Sequence, residues 1–160
     1  MEFEKLLQEA DDLGIPVTEK PFKTYDGRIK NDRIYLRKGM TSTQKSCVLA
    51  EELGHYHTTV GDILDQQDVA NQKQERRARI WAYNKLVSLF GIIKAYNAGC
   101  RNLYEMAEYL EVTEEFLKEA LDIYKTKYGT CVRTGEYIIF FIPTLSVMNV
   151  HTKCTKKSYL

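Results

Sequence analysis

No Cys-x-x-Cys pair occurs in this chain. Its four cysteines, Cys47, Cys100, Cys131 and Cys154, are widely spaced. That excludes a zinc ribbon and fits reduced thiols in a cytosol. No apolar run approaches the ~20 residues of a membrane span, and no internal repeat or low-complexity segment is present. The first residues, Met1-Glu2-Phe3-Glu4-Lys5, carry charge where a secretory signal needs an apolar core. A cytoplasmic protein with no membrane partner is expected. An excess of one charge is also lacking. The net charge of +1 gives no electrostatic reason to expect direct contact with nucleic acid. What is present, 44% hydrophobic and 28% charged residues over 160 positions, is ordinary for one globular domain with a sizeable core.

Phe3, Leu6, Leu7, Ala10 and Leu13 recur at helical spacing, and Gly14 closes that helix. Ile15-Pro16-Val17 leaves it. Residues 24–37 alternate and turn, with Asn31-Asp32 between two short runs, which predicts a β-hairpin. Thr41 to Gln44 then offers N-cap residues for a helix that runs to about Thr58, with Gly61 beyond it.

That helix carries the stretch with chemistry, Ala50-Glu51-Glu52-Leu53-Gly54-His55-Tyr56-His57. Residues at i and i+4 share a helix face, so Glu51 and His55 sit one turn apart and Glu52 borders them. This is the geometry of His-Glu-x-x-His, where two ligands grip zinc and the intervening Glu activates water, with Glu51 in place of the first His. Zinc accepts carboxylate oxygen as well as imidazole nitrogen. Acidic residues and a His also make an ordinary solvated face. Gly54 argues against that, because a mid-helix glycine costs about 1 kcal/mol relative to Ala and implies a close neighbour. His57, two residues past His55, falls on the far side of the helix. In the connection that follows, Asp62, Asp65 and Asp68 read as caps or solvated residues.

The next helix places Ala78, Trp81, Ala82, Leu86 and Leu89 on a buried stripe, with Trp81 expected beneath the motif helices. Glu75 continues that line towards the packed side. A carboxylate there needs a partner, either an arginine (Arg76, Arg77 or Arg79) or a metal held by the preceding helix.

Glu51-Glu52-Leu53-Gly54-His55-Tyr56, followed by Glu75-x-x-Ala78-x-x-Trp81-Ala82, resembles the ImmA/IrrE metallo-endopeptidases. Their motifs are H-E-L-G-H-Y and then E-x-x-A-x-x-F-A. The resemblance spans roughly residues 1–125. It implies an α+β, mostly helical, zincin-like metalloprotease domain that cleaves helix-turn-helix repressors of phages, integrative elements or damage-response genes. By it, Glu51, His55 and Glu75 take the metal positions and Glu52 the general-base position. Zinc is the implied ion, and two carboxylates among three ligands admit manganese. It also implies a strand beside the cleft that receives an extended peptide, which puts Arg33, Tyr35 and Tyr56 forward as substrate contacts. A module of the same fold that inactivates the repressor by holding it is the alternative.

Beyond Leu89, Phe90-Gly91-Ile92-Ile93 is apolar and is expected to break at the glycine. Ala107-x-x-Leu110-x-Val112-Thr113-x-x-x-Leu117 is reminiscent of a helix-turn-helix. Its second helix carries Glu114, Glu115, Glu119 and Asp122, which phosphate would repel, so core packing or repressor docking is the expected role. Tyr137 to Pro143 reads as a strand or hairpin, with Arg133 to Glu136 as its turn. It must pack on the domain or on a second copy, which would make a homodimer. A single domain is expected over residues 1–150, with the metal motifs in 1–98 and the helical pair and β segment in 99–150. The polar tail 151–160 is expected to be loose, with His151 and Cys154 incidental.

Overall fold

The computed structural model describes residues 1–59 and 68–151. The fold is α+β and mostly helical. Helix α1 (Glu2–Asp12) leads into β1 (Val17–Lys20), β2 (Gly27–Lys30) and β3 (Arg33–Arg37). Helices α2 (Ser42–Thr59), α3 (Asp68–Leu86), α4 (Leu89–Asn97), α5 (Leu103–Leu110) and α6 (Glu114–Tyr128) follow, then β4 (Cys131–Thr134), β5 (Tyr137–Phe140) and β6 (Ser146–Asn149).

The predicted hairpin forms, with Lys30 paired to Arg33 across the turn. Asn31 and Asp32 both have positive φ, at 50° and 55°, as a type I′ turn requires of both central residues. One strand was not foreseen. β1 pairs in parallel with β3, which gives the order β1-β3-β2. β3 is therefore central, and the free edge near α2 belongs to β2. Ile34 and Leu36 of β3 are fully buried against the helices.

Helix α2 starts on reciprocal capping. Thr41 Oγ1 accepts from the Gln44 amide at 3.2 Å, and Gln44 Oε1 accepts from the Thr41 amide at 3.0 Å. Leu49, Ala50 and Leu53 of α2 and Ala78, Ala82 and Leu86 of α3 are buried, and the two helices pack extensively on each other. Trp81 is a correction to the expected stripe. It lies half-buried at the edge of the core, stacked on His57 with ring centroids 4.7 Å apart. Leu89 is a second correction, since α3 ends at Leu86 and Leu89 opens α4. Gly91 does not break α4. It lies in the first turn, where its amide lacks a helical partner, and Ser88 Oγ accepts from it at 3.0 Å.

The α5–α6 pair forms as predicted, with Thr113 capping α6 through the Phe116 amide at 3.1 Å. Tyr124 Oη donates to the Val87 carbonyl at 2.6 Å and so fastens α6 to the α3–α4 junction. The C-terminal apolar run pairs with β4 across the expected turn and also with β6, an unforeseen third strand. It sends Ile139 and Phe141 into the core of its own chain. His151 is exposed, 3.3 Å from Glu136. Gly61, Asp62, Asp65 and Cys154 lie outside the described residues, and Asp68 is the first residue of α3. Among the described residues, no helix is long and apolar enough to cross a membrane.

Candidate peptide cleft between β2, α2, α3 and α6

Two close backbone approaches shape the cleft. A methyl on Gly54 would run into the Ala78 carbonyl, so only glycine lets α2 and α3 pack this closely. A methyl on Gly27 would run into Val48 and would lie 2.8 Å from Glu52 Oε1. Gly27 thus lets β2 lie against the carboxylate row of α2. In a two-residue hairpin the pairs Lys30–Arg33 and Arg28–Tyr35 are the hydrogen-bonded ones, so Gly27 and Ile29 present their backbone groups outward to the free edge. The Ile29 backbone lies near enough to Glu52 to favour the charged form of its carboxyl.

The resulting cleft encloses about 850 Å³. Asp26, Glu51, Glu52, Glu75, Glu115 and Glu119 line it, together with His55, against Arg28 and Arg79 as the cations. His55 Nε2 lies 3.1 Å from Glu75 Oε2. The other Glu75 oxygen accepts from Arg79 Nε at 3.0 Å. Glu75 is not turned towards the packed side as expected. Its side chain is 47% exposed at the cleft mouth.

Glu52 is buried and Glu51 half-buried. Burial pushes the Glu51 carboxyl up to about 7, with Arg79 opposing and Glu75 and Glu119 adding to the rise. Burial also pushes Glu52 up to about 7, helped by Glu51 and opposed by the Ile29 amide. Burial works against the Arg79 charge, but Glu51 and Glu75 outweigh it and hold that pKa above its ordinary value. On the cleft floor, burial drives the Cys47 thiol up to about 11, which leaves it a poor nucleophile.

Do these residues fit a metal? Among the described residues, no three His, Cys, Asp or Glu side chains converge on a point that could hold an ion. Glu75 is occupied by Arg79 and His55, and the guanidinium supplies the positive charge that the carboxylates need. The donor set as arranged does not fit a bound metal, and the alternative partner of Glu75, an arginine, is the one in place.

The cleft continues into a second compartment of about 710 Å³ between α3 and α6, which shares Glu75, Arg79 and Glu119 and is lined further by Ile80, Tyr83 and Ile123. Tyr83 Oη donates to Glu119 at 2.5 Å on the shared wall.

Glu51, Glu52, His55 and Glu75 are therefore brought together. Arg33, Tyr35 and Tyr56 do not join them. Arg33 and Tyr35 alternate with buried Ile34 and Leu36 on the central strand, so they face away from α2. Tyr56 packs at the rim of the core and is not part of the cleft wall. His57 points the other way, towards Trp81 and Glu9. The sequence reading missed Gly27, Asp26 and Glu119 as cleft residues. Arg79 had a readable signal, its i+4 spacing from Glu75.

Residues 10–122, more than half of the chain, match the model of the IrrE N-terminal-like domain family, Peptidase_M78. No curated protein matches the chain.

Proposed function

The chain belongs to the Peptidase_M78 family, with its metallopeptidase fold, and on that premise we propose that its cleft captures an extended segment of a helix-turn-helix transcriptional repressor and inactivates the repressor by holding it. One observation carries the choice of holding over cutting. Arg79, bound to Glu75 at 3.0 Å and charge-coupled to Glu51, takes up the carboxylates that would otherwise be offered to an ion. The outward backbone of Gly27 and the Ile29 carbonyl give an extended peptide main-chain partners. The acidic walls favour a basic side chain at the centre of that peptide. The second compartment, with Ile80 and Ile123, favours an apolar one beside it. Unpaired Cys47, Cys100 and Cys131 support a reducing cytoplasm as the setting.

Hydrolysis is the second reading, and Glu52 favours it. A carboxyl near 7 on the cleft floor has the proton affinity of a general base at neutral pH. In that reading Glu52 takes a proton from the water that attacks the peptide carbonyl.

Incubating the purified protein with the repressor of its own element, with and without added zinc or manganese, separates the two. Holding predicts a stable complex, intact repressor on a denaturing gel, no stoichiometric divalent metal, and full relief of repression by Glu52→Gln. Cut repressor, lost in Glu52→Gln by at least ~100-fold, would establish hydrolysis instead.

A further inference from the structure

The total charge of the chain conceals an uneven distribution. Between residues 18 and 38 seven basic residues face three acidic ones, a local net of +4 in a chain whose total is +1. The sheet gathers most of that charge on one side. Ile34 and Leu36 point into the core, so Arg33, Tyr35 and Arg37 point outward. Their pairing partners lie on the same face: Lys30 opposite Arg33, Arg28 opposite Tyr35, Lys20 beside Arg37. Of the acids, Glu19 turns to Lys45 of α2 at 2.5 Å, and Asp26 is taken by Arg37 at 2.6 Å. Among the described residues no carboxylate lies within salt-bridge distance of Lys20, Arg28, Lys30 or Arg33.

Aromatic rings fill the spaces between these cations. Phe22 and Tyr25 have ring centroids 4.5 Å apart, and Phe22 meets Tyr35 edge-on at 6.5 Å. Lys20 Nζ sits 5.1 Å from the centre of the Tyr35 ring, and Arg28 Cζ 5.9 Å from that of Tyr25. Together they rim a shallow hollow of about 140 Å³, and Tyr25 is 40% exposed above it.

We propose that this outer face of the β1-β3-β2 sheet binds single-stranded nucleic acid. The cations match backbone phosphates, and the aromatic faces between them match unstacked bases. Strands of this length cover roughly 13 Å at ~3.3 Å per residue, enough for two or three nucleotides. A duplex keeps its bases stacked inside and would leave the rings unused. Arg28 stands at the rim shared with the acidic cleft, whereas Lys20, Phe22, Tyr25, Lys30 and Tyr35 line only the outer hollow, so the inference does not depend on what the cleft does.

The test is fluorescence anisotropy of a labelled 20-nucleotide oligothymidylate titrated with the full chain. The same oligomer as a duplex and anionic lipid vesicles serve as competitors. Three or four phosphate contacts predict a log–log salt slope of roughly −2 to −3, so binding at 50 mM salt weakens about 20–60-fold by 200 mM. The double variant Lys30→Ala/Arg33→Ala, with unchanged circular dichroism, should flatten that slope by about 1.4. Tyr25→Ala should weaken binding about 5–100-fold and leave the slope unchanged. Three results would overturn the proposal: no binding at 50 mM salt with ~100 μM protein, a Lys30→Ala/Arg33→Ala variant that binds as wild type, or a duplex or vesicle that competes better than the free strand.

Discussion

Gly54 of α2 and Ala78 of α3 meet backbone to backbone, and a methyl on Gly54 would lie 3.0 Å from the Ala78 carbonyl carbon and nearer still to its oxygen. This contact sets how far Glu51 and His55 stand from Glu75 and Arg79. Gly54→Ala gains helix propensity of about 1 kcal/mol, yet it forces two packed backbones apart. A net loss of about 1–3 kcal/mol is expected by urea titration. A neutral or stabilised variant would mean that the two helices are further apart than described.

Arg79 is the cation on the α3 wall of the cleft. Removing it leaves Glu51, Glu52, Glu75 and Glu119 without an internal counter-charge on that wall. Arg79→Ala is expected to bind zinc or manganese at least about tenfold more tightly than wild type by titration calorimetry, because ~1.4 kcal/mol of relieved repulsion suffices for that factor. Equal affinity in the two proteins would remove Arg79 from its assigned role.

Stability should fall as pH rises from about 5 to 8. Glu51 and Glu52 carry folded-state values of about 7 against an ordinary 4.5. Between those limits the folded chain holds protons that the unfolded chain has released, so unfolding becomes easier with each step upward. Below about 4.5 both states are protonated and this dependence vanishes. Glu52→Gln should flatten the profile of the metal-free protein, measured by thermal melts across that range. A profile that rises from pH 5 to 8 in wild type and is unchanged in Glu52→Gln would contradict the burial described.

Trp81 and Leu53 test the corrected core. Leu53 is fully buried on α2, and Leu53→Ala should cost about 2–5 kcal/mol. Trp81 is only half-buried, held by His57 and by Lys85 at 5.6 Å from its ring centre. Trp81→Ala should therefore cost less than Leu53→Ala, about 1–2 kcal/mol. The reverse order in denaturant titration would restore Trp81 to the centre of the stripe.

Long helices with strong caps were readable from the chain. α2 announced itself through Thr41 and Gln44, and α6 through Thr113. The Asn31-Asp32 turn was readable because so few residues accept positive φ at two successive positions. Periodicity also grouped Glu51 with His55. What escaped was non-local. Nothing within Val17–Lys20 says that it pairs with residues seventeen positions on, and without that pairing β3 looks like an edge. Arg33 and Tyr35 were consequently assigned to the cleft when they lie on the opposite face. Gly27 carried no signal of its own, because its close neighbours Val48 and Glu52 belong to a helix distant in sequence. Gly91 misled for a local reason: glycine in a first turn loses little, since Ser88 takes its amide. The net charge of +1 hid the basic face of the sheet, because a sum over the chain carries no direction.

Five side chains of the cleft, Glu51, Glu52, His55, Glu75 and Arg79, are mounted on two helices whose spacing is fixed elsewhere, by the bare backbone at Gly54. Architecture and chemistry are thus separable here. Substitutions at the mouth of the cleft, such as at half-exposed Glu75 and Arg79, change its charge before they change whether the chain folds. The scaffold is thus indifferent to which charges the two helices carry towards the cleft, so long as the bare backbone at position 54 is kept.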